Sequence, residues 1–216
     1  MPETSARASA ASRTSRLGLV VRSMLVALAA LVLGGLTSPA QGALPDALSS
    51  FANSAGGWTL LTFAIVWAVR TPLWLSAVLG AVGFVLLVEG YRLVSEWRGY
   101  DYGEPFTGMF TIIGVLAGPI VGAAAVLVRH PNPLWRGIAI APVAAVLIGE
   151  GIFGLTVVGD TTSPVYWTVQ MVIGVALTLL VVLRPRMPVP IAALTVGLIV
   201  AGSLAFIGFF LLLGFL

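Results

Sequence analysis

The chain has 216 residues, 59% of them hydrophobic and 9% charged, with a mean hydropathy of +1.07; soluble domains carry about 25% charge, so a soluble globular class is excluded. A net charge of +3 is scattered over termini and short turns, with no basic patch interleaved with aromatics, which argues against nucleic acid as a partner. The absence of cysteine removes disulfides, thiolate metal sites and cysteine nucleophiles, and all 11 basic residues are arginine, a usage typical of GC-rich genomes.

Residues 1–16, rich in Ser, Ala and Arg, lack apolar periodicity and read as a disordered cytoplasmic tail. Residues 17–36 form the first stretch long enough to cross a bilayer, for which about twenty apolar residues are needed. Tail and stretch together also resemble a signal peptide, with Ser38-Pro39-Ala40 as an acceptable cleavage site, although the apolar run is long for that role. Cleavage would leave one span fewer in the same orientation. Between residues 39 and 50, Leu44, Ala47 and Leu48 lead to Phe51 at near-helical spacing, as in a short amphipathic turn on the outer surface.

Six further spans follow at 51–69, 73–94, 106–128, 137–158, 165–183 and 189–213, so residues 17–216 read as a single transmembrane domain. The fold class expected is an all-α polytopic bundle of about seven spans, a leader helix plus three hairpins. Arg7, Arg13, Arg16, Arg22, Arg70, Arg129, Arg136, Arg184 and Arg186 fall on one side, whereas Asp46, Glu96, Asp101, Glu104 and Asp160 fall on the other with Arg98. Because arginine in short flanks stays cytoplasmic, the amino terminus is expected inside and the carboxyl terminus outside a bacterial plasma membrane. Trp67, Trp74 and Trp135 fall at inner ends, and Trp97 and Trp167 at outer ends, where indoles favour the headgroup zones. Trp58 lies too deep for a helix starting at Phe51; a start near Ala55, with 51–54 as an interfacial approach, suits it better.

The sequence repeats itself. Pro72-Leu73-Trp74 is followed fifteen residues after the Trp by Glu89-Gly90, and Pro133-Leu134-Trp135 at the same distance by Glu150-Gly151. The second, fourth and sixth spans each run inward to an Arg and a Pro turn, through Arg70-Thr71-Pro72, Arg129-His130-Pro131 and Arg184-Pro185. The third hairpin matches the others only in this turn, and short Arg-Pro turns are common in membrane proteins. A parallel repeat of this kind tends to hold a shared site where its copies meet.

A charge at the bilayer centre costs about 2.5 to 3.5 kcal/mol even on insertion scales, so Glu89 and Glu150, roughly 7 and 12 Å below the outer boundary, are the candidate site. Arg92, three residues beyond Glu89, shares its helix face. Gln170 enters to a matching depth on the sixth span, and Asn53 lies near the outer end of the second. Together these five residues suit one outward-facing polar pocket for a small solute or cation. The alternative is structural: Glu89 pairs with Arg92 while Glu150 hydrogen-bonds across helices. Gly114, Gly118 and Gly122 recur every four residues beside Pro119 and mark a helix-packing face, within the bundle or as the seam of a homo-oligomer. His130 has no ligand partner at metal spacing, and the acidic loop 95–105 lacks calcium-loop spacing, so no metal or cofactor is expected. No catalytic signature is present, and a non-enzyme is favoured.

The stretch Gly35-Leu36-Thr37-Ser38-Pro39-Ala40-Gln41-Gly42, with Leu44-Pro45, Ala52-Asn53-Ser54, Trp58 and Arg98-Gly99-Tyr100, resembles a family of small actinobacterial multi-pass membrane proteins of unknown function. The resemblance implies a bacterial plasma-membrane protein and supplies no activity, cofactor or catalytic residue. Two functions remain open at this point: a small permease or channel-like protein using the acids, and a non-catalytic membrane component that assembles with envelope machinery.

Overall fold

In a computed structural model, which describes residues 2–214 and the side chains of 16–214, every regular element is helical. The elements are α1 (Pro2–Ala43), α2 (Asp46–Ser49), a 3-10 turn (Ser50–Asn53), α3 (Ala55–Val69), α4 (Leu73–Trp97), α5 (Met109–Leu127), α6 (Pro133–Thr156), α7 (Pro164–Val182) and α8 (Val189–Leu212). Six of these are long and apolar enough to cross a membrane, and α2 with its turn and α3, a pair bent at the break between them, make a seventh when counted as one span. The tail expected over 1–16 falls almost wholly on residues whose side chains lie outside the described ones.

The expectation of a continuous second span over 51–69 is corrected. The chain is extended at Ser54, and the preceding short helical segment meets α3 at 67°. The reason is local chemistry: the Ser54 hydroxyl accepts a hydrogen bond from Gly57 N at 2.9 Å, so a fresh helix starts at Ala55, where the alternative reading of the sequence put it. Elsewhere the boundaries move by a few residues. The helix α1 runs through Pro39 to Ala43, so the short turn expected over 39–50 is confined to α2 and the start of the 3-10 turn after it. Likewise α5 begins at Met109, because Phe106 takes a left-handed backbone (φ 61°) and Gly108 precedes the first turn. Finally, α6 begins at Pro133, with the Asn132 side chain accepting from Leu134 N at 2.9 Å.

Two helices form the scaffold. The first, α4, packs along α1 and α5; the second, α6, packs along α7 and α8; α3 lies between them, touching α4, α5 and α6. Close approach of backbones requires glycine. A Cβ on Gly122 would lie 2.0 Å from Ser76 O, and one on Gly34 2.0 Å from Leu87 O, so α5 and α1 both press directly onto the α4 backbone. Gly114 and Gly118 belong to the first of these seams, facing Phe84 and Ala81, so the glycine face of α5 is filled from within the chain.

Each end of the bundle has its own chemistry. At the arginine-rich end, Arg22 donates to Arg70 O at 3.1 Å, and Arg129 donates to Trp67 O at 2.8 Å with its guanidinium 4.0 Å from the Trp67 ring centre. Burial, and then the neighbouring charge of Arg70, lower the pKa of Arg129. At the acidic-loop end, Arg98 donates to Ser38 at the end of α1. The exposed indoles of Trp67, Trp74, Trp97 and Trp135 ring the surface, whereas Trp58 is buried. Trp167, expected at an interface, is buried as well, because Gly154 on α6 lets it pack flat and Thr162 Oγ1 accepts from its Nε1 at 2.8 Å.

Candidate functional site: two buried glutamates that anchor helix starts

A helix that begins inside a bilayer presents backbone N–H groups that no water satisfies. In α3 they are met by Glu150. Ala55 N donates to its Oε1 at 2.7 Å and Gly56 N to its Oε2 at 2.6 Å, so the carboxylate closes the first turn of a helix 95 residues earlier in the chain. Ser54 Oγ at 2.9 Å and Gln170 Nε2 at 2.9 Å also donate to Oε2. Around them, Gln170 Oε1 stands 3.0 Å from Ser54 Oγ as an alternative acceptor for its one proton, Ser54 Oγ and Tyr166 OH share a hydrogen bond of 2.6 Å, and Gln170 Nε2 reaches Leu147 O at 3.3 Å. The amino-terminal end of a helix favours negative charge, so the fold accommodates this carboxylate without an arginine.

Glu89 occupies the corresponding place in the other copy of the repeat, on α4, and does related work. Its Oε2 accepts from Arg92 Nε at 2.8 Å, and its Oε1 from Phe106 N at 2.9 Å and Thr111 Oγ1 at 3.1 Å. Arg92 also pairs with Glu96. Phe106 closes the loop that leads into α5, and Thr111 stands in that helix's first turn, so Glu89 holds the start of α5 as Glu150 holds the start of α3.

The single pocket expected from the repeat is therefore corrected to two clusters. Glu89 joins Arg92, and Glu150 joins Gln170, but the two acids have no hydrogen-bond partner in common. Trp58 of α3, Phe84 and Tyr91 of α4 and Phe110 of α5 form an aromatic cluster. The duplicated phrase is also packed differently in its two copies: Gly90 faces α1 at Leu31 O, whereas Gly151 faces α7 at Trp167 O. Helix rotation, which an almost uniformly apolar span does not encode, is what differs.

Asn53 bonds to neither acid and instead lines two cavities. One, of about 290 Å³, is bounded by Glu150 with Phe153, Thr161, Thr162 and Trp167. The other, of about 170 Å³, extends past Trp58 to Ile113, Ala117 and Val146. They share Asn53, Ala55, Phe110, Phe206 and Phe210. Sequence reasoning passed over Ser54, Tyr166 and Thr111. Ser54 was accessible from its position, a serine immediately before an apolar helix; Tyr166 and Thr111 carry no local signal.

Fold and site together define a polytopic α-helical membrane protein whose two intramembrane carboxylates are spent on its own helix starts. A family model matches residues 13–215, and the chain belongs to that family, the family of unknown function DUF6518. No curated protein and no solved structure gives a match.

Proposed function

We propose that the protein is a small permease of the bacterial plasma membrane, with its amino terminus cytoplasmic, that takes a small solute or cation into the cavity beside Glu150. The observation that carries the reading is that, among the described residues, the one charged side chain lining this cavity belongs to Glu150, which caps α3 at its bend. Broken helices near the middle of a bilayer are where transporters bind their cargo. The arginines at one end of the bundle support the orientation, and alkaline phosphatase fused at Asp101 should be active and at Arg129 inactive.

A second reading, a non-catalytic membrane component, draws on the internal hydrogen bonds that already occupy both carboxylates. In that case partners would meet the lipid-facing sides of α1 and α8, since α4 fills the glycine face of α5. The two are separated by flux of cations and small solutes into liposomes holding the purified protein, measured against pH. Ala117→Phe fills the smaller cavity without touching Glu150 and should abolish flux while the protein stays folded. Wild-type flux no greater than that of empty liposomes would end the permease reading and leave the component.

A further inference from the structure

The permease reading leaves a third and larger cavity unused. It measures about 430 Å³ and lies at the acidic-loop end, among the last turn of α1, the last turn of α4 and the loop that follows. Its level is marked by Trp97, 87% exposed at the end of α4, and by exposed Leu36 and Leu93 a turn below. Indole there puts the opening in the headgroup zone.

Arg98 forms one wall. It donates through Nη1 to the carbonyl and hydroxyl of Ser38, which in turn accepts from Ser95 Oγ at 2.9 Å. Its guanidinium carbon lies 5.3 Å from the Tyr100 ring centre. The group is thus fixed in place with its other nitrogen donors unspent. Opposite in sign, Asp101 lines the same cleft, and among the described residues its one hydrogen bond is a long one, 3.4 Å, from Gly103 N. Tyr102, held edge-on to Tyr91 with ring centres 5.0 Å apart, and Tyr100 add aromatic surface, while Gln41 accepts from Tyr91 OH at 3.0 Å and keeps its own amide donors.

A bare phosphate in this cleft would meet Asp101, and a bare ammonium would meet Arg98. A group carrying both charges satisfies both residues, and tyrosine faces attract the ammonium half. We propose that the cleft binds a phosphoethanolamine-type zwitterion, its phosphate on Arg98 and its ammonium on Asp101 and the Tyr100 and Tyr102 rings. This chemistry has two sources, the headgroup of a phosphatidylethanolamine or the free phosphoethanolamine solute.

The test uses the full chain in detergent micelles, with binding of phosphatidylethanolamine, phosphatidylglycerol and free phosphoethanolamine read by native mass spectrometry and by thermal shift. Phosphatidylethanolamine should bind about fivefold tighter than phosphatidylglycerol, the value of one partly exposed ion pair. Asp101→Asn disturbs only the long loop bond and should erase that preference without moving the melting temperature of the lipid-free protein. Arg98→Gln should weaken both lipids. Displacement of the lipid by free phosphoethanolamine at micromolar concentration identifies the solute as ligand, and its failure to displace identifies the lipid; either supports the site. Equal binding of the two lipids by the wild type, or a preference that survives Asp101→Asn, would overturn it.

Discussion

Removing the carboxylate of Glu150 tests whether the start of α3 depends on it. In Glu150→Ala four donors lose their acceptor, but two can re-pair: Ser54 keeps Tyr166 and Gln170, and Gln170 keeps Leu147 O. The amides of Ala55 and Gly56 have no substitute. An orphaned buried donor costs about 1–3 kcal/mol, so the two together cost about 2–6 kcal/mol. Glu150→Gln retains one acceptor oxygen, which is best used by the three donors on the Oε2 side; its NH2 then opposes Ala55 N, at about 1–3 kcal/mol. The assay is unfolding in mixed micelles followed by tryptophan fluorescence. The expected order is Glu, then Gln, then Ala, with amide exchange rising first at Ala55 and Gly56. Alanine within about 0.5 kcal/mol of the parent, with those amides still protected, would refute the capping argument.

Three further outcomes are expected. Gly122→Ala drives a methyl into Ser76 O and should destabilise the protein by about 1–3 kcal/mol in the same unfolding assay, whereas Gly197→Ala meets nothing within 4 Å and should be neutral or slightly stabilising. Glu89→Gln should break the Arg92 pair and loosen the loop into α5, raising hydrogen exchange at Phe106 about fivefold while leaving Ala55 and Gly56 protected. Burial, and then the neighbouring Tyr91, push the Tyr102 phenol from 10.0 up to about 12. The folded state therefore holds this proton more tightly than the unfolded one, so the stability it contributes is intact below pH about 10 and lost as pH rises through about 12. Ultraviolet titration of phenolate should show one late tyrosine in the loop, and Tyr102→Phe should remove it and flatten the alkaline loss of stability.

The hydrophobic spans and their proline turns were readable because length and composition alone decide them in a bilayer. The late start of α3 was read from Trp58 as an indole seeking the headgroup zone; the start is near Ala55, but Trp58 is buried against Phe84, Tyr91 and Phe110. What escaped was azimuth. Glu89 and Glu150 sit at equal distances along equivalent helices, yet one turns toward α5 and the other back toward α3, and no local pattern on an apolar cylinder records that choice. The same blindness hid the burial of Trp167, which depends on a glycine of another helix. Gly114, Gly118 and Gly122 announced a close contact without naming α4 as the surface that makes it.

The brevity of α3 bears on how the protein is made. Its 15 residues reach roughly 22 Å, well short of a hydrocarbon core about 30 Å thick. The missing length is supplied by the bent segment before it, and the first amides of α3 wait for Glu150, which leaves the ribosome 95 residues after Ala55. The cap of α3 is thus complete only once α6 has been made. Nascent chains arrested before α6 should carry a second span that slips between inserted and surface-bound positions, which glycosylation mapping at Asp46 would register as partial modification, rising to completion once residues 133–156 have left the exit tunnel.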